Sequence, residues 1–363
     1  MKKTPFYEKH LALGAKMAPF GGYEMPIRYK SIITEHNATR QGATLFDTCH
    51  MGEFSIRGPE AVDDLERILS CPVEAMVPGQ CRYGFICNEQ GGVIDDQILY
   101  RLGIDDFFMV VNASTESSDY TWITQNLSDG TEAENLSAGT AKIDLQGPSS
   151  PKICSRLMQE PVDGLKYYHF MHNRYCGEKM LLSRTGYTGE IGFEFYGPPE
   201  LITTLWDDCM ELGAQPAGLG ARDTLRLEMG FPLYGHELDA RTNAAWSGFS
   251  RAIGDKAFIG SGAVFDSDGA AQRLCALAIE GRRTAHPGNR ITHPDGTVIG
   301  RVTSGSFSPS LGRAIALGYV NSDESHADNR VGIVTGRGLL QATVTTVPFY
   351  KQATGRAPLE RFL

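Results

Sequence analysis

Eight cysteines occur in this 363-residue chain, but none forms a Cys-x-x-Cys pair and their spacing is irregular. Neither a zinc site nor a disulfide framework is therefore expected, and the thiols read as reduced and mostly buried. No apolar run approaches the length of a membrane span. The segment from Met1 to Lys9 starts basic but lacks the apolar stretch of a signal peptide and the character of a matrix transit peptide, so a cytoplasmic location is expected. Positive charge is in deficit: 34 Lys and Arg against 43 Asp and Glu leave a net charge of -9. That balance opposes binding to nucleic acid or an anionic membrane and favours a small ligand or an ordinary protein partner. No serine sits in a Gly-x-Ser-x-Gly elbow, so Asp47, His50 and Ser55 do not make a hydrolase triad. The histidines do not cluster as metal ligands, and no metal site is expected. His50 reads as a structural or site-lining residue rather than a general base. Repeats and low-complexity tracts are also missing.

What is present is glycine and proline, 41 and 18 residues, spread along the chain as the punctuation of many turns and short strands. At 39.7 kDa the chain exceeds what one hydrophobic core usually serves, so two or three domains are expected. Helical spacing of Ala61, Leu65, Ile68 and Leu69 predicts a helix over 59–70, after a strand over 53–57. A hairpin over 82–102, a strand over 107–112 and a helix near 116–127 complete an alternating α+β unit. A second unit runs from Ala141 to about Asp255, with strands over 179–183 and 192–196 and helices over 201–212 and 221–228. Beyond Gln272 short β-branched runs over 297–303, 314–320, 331–334 and 342–346 alternate with turns and predict a small all-β domain.

Within the hairpin, Asn88-Glu89-Gln90-Gly91-Gly92 is the turn, and two adjacent carboxylates follow in the second strand. Alternation places Asp96 with Ile94, Ile98 and Tyr100, and Asp95 with Gln97 and Arg101 on what reads as the wetter side. A carboxylate on an apolar face loses hydration, which raises its pKa and marks it for chemistry. The alternative is an Asp that caps turn amides or pairs with an Arg. Elsewhere, the turn from Arg184 to Glu190 either shapes a site or only turns a corner. Glu194, opposite Phe193 and Phe195 in the pleat, is either a solvent-facing strand residue or an acceptor for a paired N–H edge. The glycine-rich run Pro216-Ala217-Gly218-Leu219-Gly220 opens a helix whose amides can hold an anion, with Arg222 nearby, but it is not a nucleotide loop.

Taken together, Gly21-Gly22-Tyr23-Glu24-Met25-Pro26, the run Phe46 to Glu53, Gly91 to Asp96, Ser183 to Glu190, Ala217 to Asp223, Leu233 to Glu237, Thr303 to Pro309 and Pro348-Phe349-Tyr350-Lys351 occur in the order seen in the T-protein of the glycine cleavage system. The chain resembles that family, a tetrahydrofolate-dependent aminomethyltransferase, along nearly its whole length. The resemblance implies an α+β fold in which three domains form a cloverleaf around a central folate cavity. Residues 1–50 and 141–255 would form one discontinuous domain, residues 51–140 a ferredoxin-like domain carrying Asp96, and residues 273–363 a small β-barrel or jelly-roll-like domain. It further implies transfer of an aminomethyl group from the lipoyl arm of H-protein, releasing ammonia and methylenetetrahydrofolate. Asp96 would be the catalytic carboxylate, Glu194 would hold the pterin N–H edge, and Met51, Tyr83, Val110, Asn112, Tyr168 and Arg222 would line the cavity.

Three departures stand out. Asn243-Ala244-Ala245-Trp246 replaces an Asn/Thr-Pro-x-Glu pattern, Ile191 replaces an Asp, and Asp47-Thr48-Cys49-His50 replaces Asp-Val-Ser-His. The loss of two acidic groups near the expected cavity motivates an alternative, a folate-dependent one-carbon transferase acting on another small methylated donor. A non-enzymatic folate-binding relative is disfavoured, because Asp255-Lys256-Ala257-Phe258-Ile259-Gly260 stands where that group carries a Lys-Gly-Cys motif.

Overall fold

The computed structural model describes residues 1–266 and 271–363. The hairpin forms because Asn88 closes its turn: its carbonyl accepts from Gly91, and its side-chain oxygen accepts from Gln90 N and Gly92 N at 3.0 and 2.9 Å. Gly91 supplies the positive φ of 77° that this turn requires. The strands Cys81–Cys87 and Val93–Arg101 then run antiparallel, with Phe85 opposite Asp96. They join Asp106–Val111, Gly52–Arg57 and Glu132–Asn135 in a five-stranded antiparallel sheet.

The helices Ala61–Ile68 and Glu116–Gln125 cover one face of this sheet, over Phe54, Ile56, Leu99, Phe107, Met109 and Val111. The first helix stops short of the expected end, because Leu69 turns to extended backbone at ψ 146° to let Ser70 N bond Phe85 O. A second sheet of six strands has the order Phe170–Tyr175, Glu178–Ser183, Gly192–Gly197, Ala141–Gln146, Thr44–Asp47 and Gln215–Pro216. Its outer face is closed by Ser150–Leu157 and Pro199–Glu211, with Trp206 fully buried.

From Gln272 the chain forms a closed six-stranded barrel with a core of Leu277, Ile279, Ile291, Val302, Ala316 and Ile333. Two of its strands, Gln272–Ile279 and Arg290–Thr292, were not legible in the apolar pattern. The first, Gln-Arg-Leu-Cys-Ala-Leu-Ala-Ile, carries no run of β-branched residues, and the second is only three residues long. A two-stranded ribbon, Lys16–Phe20 with Tyr23–Arg28, was likewise missed, since it carries no alternating pattern.

The two large sheets meet through Tyr100, Phe108 and Val110 from one and Phe170, Leu181 and Tyr196 from the other. Backbone bonds tie their edges, with Cys81 N donating to Tyr168 O at 3.0 Å and Phe170 N to Gly79 O at 2.9 Å. All eight cysteines are free thiols and only Cys176 is exposed. Among the described residues no helix is long and apolar enough to cross a membrane.

Candidate active site

Asp96 lies on the sheet face that looks toward the second sheet. The strand register sets Tyr83, Ile98, Val110 and Glu53 in one row across that face. Asp96 stands one step along, partly open, in line with Phe85. Its Oδ2 accepts from the Tyr83 hydroxyl at 3.0 Å and its Oδ1 from Asn112 Nδ2 at 2.8 Å. The same Asn112 amide donates to Asp95 Oδ1 at 2.8 Å, and Asn112 N donates to Asp95 Oδ2 at 2.9 Å. One asparagine thus locks both carboxylates.

The side expected to be wetter is dry: Asp95 is fully buried and Gln97 nearly so, whereas Asp96 and Ile98, beside the apolar cluster with Tyr100, keep some exposure. A polar residue on the helix-covered face does not by itself signal water there: Asp95 is satisfied inside, also accepting from Thr115 Oγ1 at 2.9 Å. The perturbation expected for Asp96 is nevertheless present. Burial, reinforced by the Asp95 charge, pushes its pKa up to about 7 against the pull of Tyr83 and Asn112. Among the described residues no arginine pairs with it, and the turn amides are capped by Asn88, so the alternative role of a capping or ion-paired Asp is not the one the fold gives it.

Glu194 faces the same interior from the second sheet and is not solvent-facing. Lys142 Nζ donates to its Oε1 at 2.9 Å, while Thr185, Tyr196 and Tyr100 hydroxyls converge on its Oε2 at 2.5, 3.1 and 3.3 Å. A chain of alternating charge continues from Lys142 to Asp144 at 3.0 Å and from Asp144 to Arg222 at 2.6 Å. Burial alone would lower the Lys142 pKa, but Asp144 and Glu194 overcome it and raise it. Arg222 lies 4.9 Å over the Tyr187 ring, and Tyr187 in turn is close enough to feel the Asp96 charge, which links the two halves of the site. Tyr168, held at φ 58°, and Met51, which meets Lys142 Nζ at 3.6 Å, are partly open beside the same apolar cluster. Val110 is only 2% exposed and serves as packed wall.

Two expectations are corrected. The helix Leu219–Met229 has no vacant anion site at its start, because Glu35 already occupies it, accepting from Gly218 N at 2.9 Å. Ile191 is fully buried in the core of the second sheet, so its replacement of an acid changes packing and not the site. The Asn243–Trp246 departure does touch the hairpin: Ala244 N bonds Gly91 O at 3.0 Å, and Asn88 Nδ2 bonds Ala240 O at 2.8 Å. His50 is a neutral lining residue. Burial, with the Arg222 and Lys142 cations, lowers it to about 4 against the opposing pull of Asp47, and Phe20 packs edge-on at 5.4 Å.

Comparison with known proteins fits this geometry. The model of the GCVT N-terminal domain matches residues 6–256, and the glycine cleavage T-protein C-terminal barrel domain matches residues 272–351. The chain belongs to the glycine cleavage T-protein family. An aminomethyltransferase of Halothermothrix orenii is 41% identical over 357 residues, covering 96% of this chain and all of that protein. One from Thermotoga maritima is 38% identical over 363 residues, covering 98% of this chain and 100% of the relative. The crystal structure of glycine cleavage system aminomethyltransferase T from Bartonella henselae superposes with a TM-score of 0.92 at 29% identity, covering 97% and 99% of the two chains.

Within this T-protein frame, sequence reasoning missed Lys142, Asp144, Thr185, Tyr187 and Tyr196. A signal for the first two existed, since Ala141-Lys-Ile-Asp-Leu-Gln alternates polar and apolar and puts Lys142 and Asp144 on one face. The alternation resembles that of a half-solvated strand, yet this strand is buried on both faces.

Proposed function

We propose that this chain catalyses tetrahydrofolate-dependent aminomethyl transfer from the lipoyl arm of H-protein, releasing ammonia and methylenetetrahydrofolate, with Asp96 as its catalytic residue. Family membership supports the reaction, and the single observation that carries the site is Asp96 poised near pH 7 between Tyr83 and Asn112. Reduced folate supplies the nucleophilic nitrogens when bound. The residues present suit such a group: Tyr83, Tyr168, Tyr187 and Tyr234 offer partly open rings to a flat heterocycle, and Glu194 Oε1 has one lone pair left beside Lys142. Asp96 orients an amine and holds or accepts a proton there, which its pKa permits at neutral pH. Glu194, Arg222, Met51, Asn112 and Val110 complete the folate surroundings in this proposal. The sheets fit a division into residues 1–50 with 141–255, residues 51–140 and residues 273–363, with the cavity where they meet. Eight unpaired thiols suit a cytoplasmic location.

With methylenetetrahydrofolate, ammonia and reduced lipoylated H-protein, the purified enzyme should form the aminomethyl-lipoyl adduct. No turnover at high enzyme concentration rejects the reaction. Asp96→Asn should lose about 10²- to 10⁴-fold in kcat while still binding folate, and equal activity in that variant removes Asp96 from the chemistry. A second reading, transfer from another methylated donor, now rests on the Asn243–Trp246 segment at the hairpin turn. Formation of methyl- or methylenetetrahydrofolate from a panel of methylated amines and ethers would favour it.

A further inference from the structure

Behind Asp96, on the helix-covered face of its strand, lies a third carboxyl group that the reaction as described does not use. Asp119, in the helix Glu116–Gln125, is fully buried. Neither of its oxygens receives a hydrogen bond from an N–H or O–H donor of the described residues, and its carboxyl meets that of Asp95. Thr115 Oγ1 is adjacent to both and has a single proton, for which Asp95 Oδ2 at 2.9 Å is a nearer acceptor than Asn112 O at 3.2 Å. Two carboxyl groups in contact and out of water do not both ionise. The distribution of donors decides which keeps the proton. Asp95 accepts from Asn112 N, Asn112 Nδ2 and Thr115 Oγ1, while Asp119 has no donor of its own, so Asp119 is the acid and Asp95 the carboxylate.

We propose that Asp119 is a positioning residue for the Asp96 chemistry: it holds the shared proton, donates it as a hydrogen bond to Asp95, and so keeps Asp95 an anion that fixes Asn112 against Asp96. This rests on the reading of Asp96 as the reacting group. The consequence follows from the bonds. Asn112 Nδ2 has two protons, one spent on Asp95 Oδ1 and one on Asp96 Oδ1, both at 2.8 Å, so the geometry of the catalytic carboxylate is inherited from the carboxylate behind it. The Asp95 charge also raises the proton affinity of Asp96 through the sheet.

Among the described residues, no cation stands among the main groups acting on this pair. The groups facing the pair are Asn112 and Thr115, Asp96 across the strand, and Tyr234 from the loop beyond Gly230, with Asp239 behind Tyr234. Tyr83 and Tyr187 face Asp96 from its other side. Burial and the Asp95 charge accordingly push Asp119 up to about 10, in agreement with the donor count.

Asp119→Asn and Asp119→Leu in the full-length enzyme test this. An amide still donates to Asp95, so Asp119→Asn should lower kcat by no more than about threefold, with the acidic limb of the pH–rate profile within about 0.3 unit of the parent. Leucine removes the donor: Asp95 then takes up a proton itself, its repulsion of Asp96 falls, and the limb moves to lower pH while kcat drops by at least about tenfold and folate affinity changes by less than about twofold. A direct readout accompanies the kinetics. The parent at neutral pH should show the infrared C=O stretch of a protonated, buried carboxyl group, and Asp119→Asn should lose it. A limb that moves in Asp119→Asn, a limb unmoved in Asp119→Leu, or a parent-minus-Asn spectrum without that band overturns the proposal. If Asp119→Leu does not fold, the band and the Asp119→Asn profile decide alone. Full activity in Asp96→Asn with the Asp119 band still present would instead locate the failure in the assignment of Asp96.

Discussion

Asp95 and Asp96 show how much one peptide unit separates in a strand: adjacent carboxylates end on opposite faces, one sealed under a helix and the other open to the interior between sheets. The same face holds Glu53, which is buried with neither oxygen bonded among the described residues. Desolvation raises its pKa well above the ordinary glutamate value against the pull of Lys142. The sign of the linkage follows. The folded form binds the proton more tightly than the unfolded chain, so the stability this group contributes is present below the unfolded pKa of about 4.3 and is lost as pH rises toward the folded value. Glu53→Gln, neutral at every pH, should escape that loss. Its thermal midpoint relative to the parent should climb as pH is raised from about 4 to about 8, and a difference that stays flat across this range refutes the assignment.

The hairpin that carries Asp96 is fixed at its tip as well as along its length. Gly92 has an ordinary backbone, but a Cβ there would lie 2.0 Å from Ala240 O, so the loop that packs on the turn requires glycine for space. Val93 N, which bonds Asp239 O and Thr242 O at 3.1 Å, would be displaced with it. Gly92→Ala should therefore destabilise the protein by about 2–3 kcal/mol and lower kcat through movement of the Asp96 strand. Denaturant melts together with kcat report both, and a fully stable variant would mean the loop yields at no cost. This contact was not legible in the sequence, where Gly91-Gly92 reads as a turn pair and nothing names the segment 150 residues later that lies on it.

At the scale of the molecule, Glu228 joins three parts of the chain. Arg40 and His36, from the helix Ile32–Gln41, approach it at 2.7 and 3.3 Å. From the barrel, Ser308 Oγ donates to it at 2.5 Å and Ser310 N at 3.1 Å. Burial would raise its pKa, but the hydrogen bonds from His36 and Ser308 and the Arg40 guanidinium hold it down to about 2. A depressed carboxylate gives stability that is present above the unfolded pKa of about 4.3 and is lost as pH falls toward about 2. Glu228→Gln should cost about 2–4 kcal/mol at neutral pH, because a buried guanidinium loses half of its counter-charge, and the deficit should shrink in acid. Denaturation measured at neutral pH and at about pH 3 checks this, and a pH-independent deficit would show that the bonds act through shape alone.

What the sequence determined by itself was local: the Asn88 turn, the hairpin, four of the eight α-helices among the described residues and the all-β end, each set by spacing and turn chemistry over a few residues. It also marked Asp96 as unusual, since a carboxylate interrupting an apolar alternation is visible in one strand. Only the tertiary structure decided which face of that strand was covered, because the identity of the covering element depends on a helix that begins 20 residues later. The same holds for Lys142, Asp144 and Thr185 around Glu194, and for Asp119 behind Asp95. Buried charges are stabilised by partners distant in sequence, and a pairing energy that exists only after the sheets close leaves no trace in the periodicity of either strand.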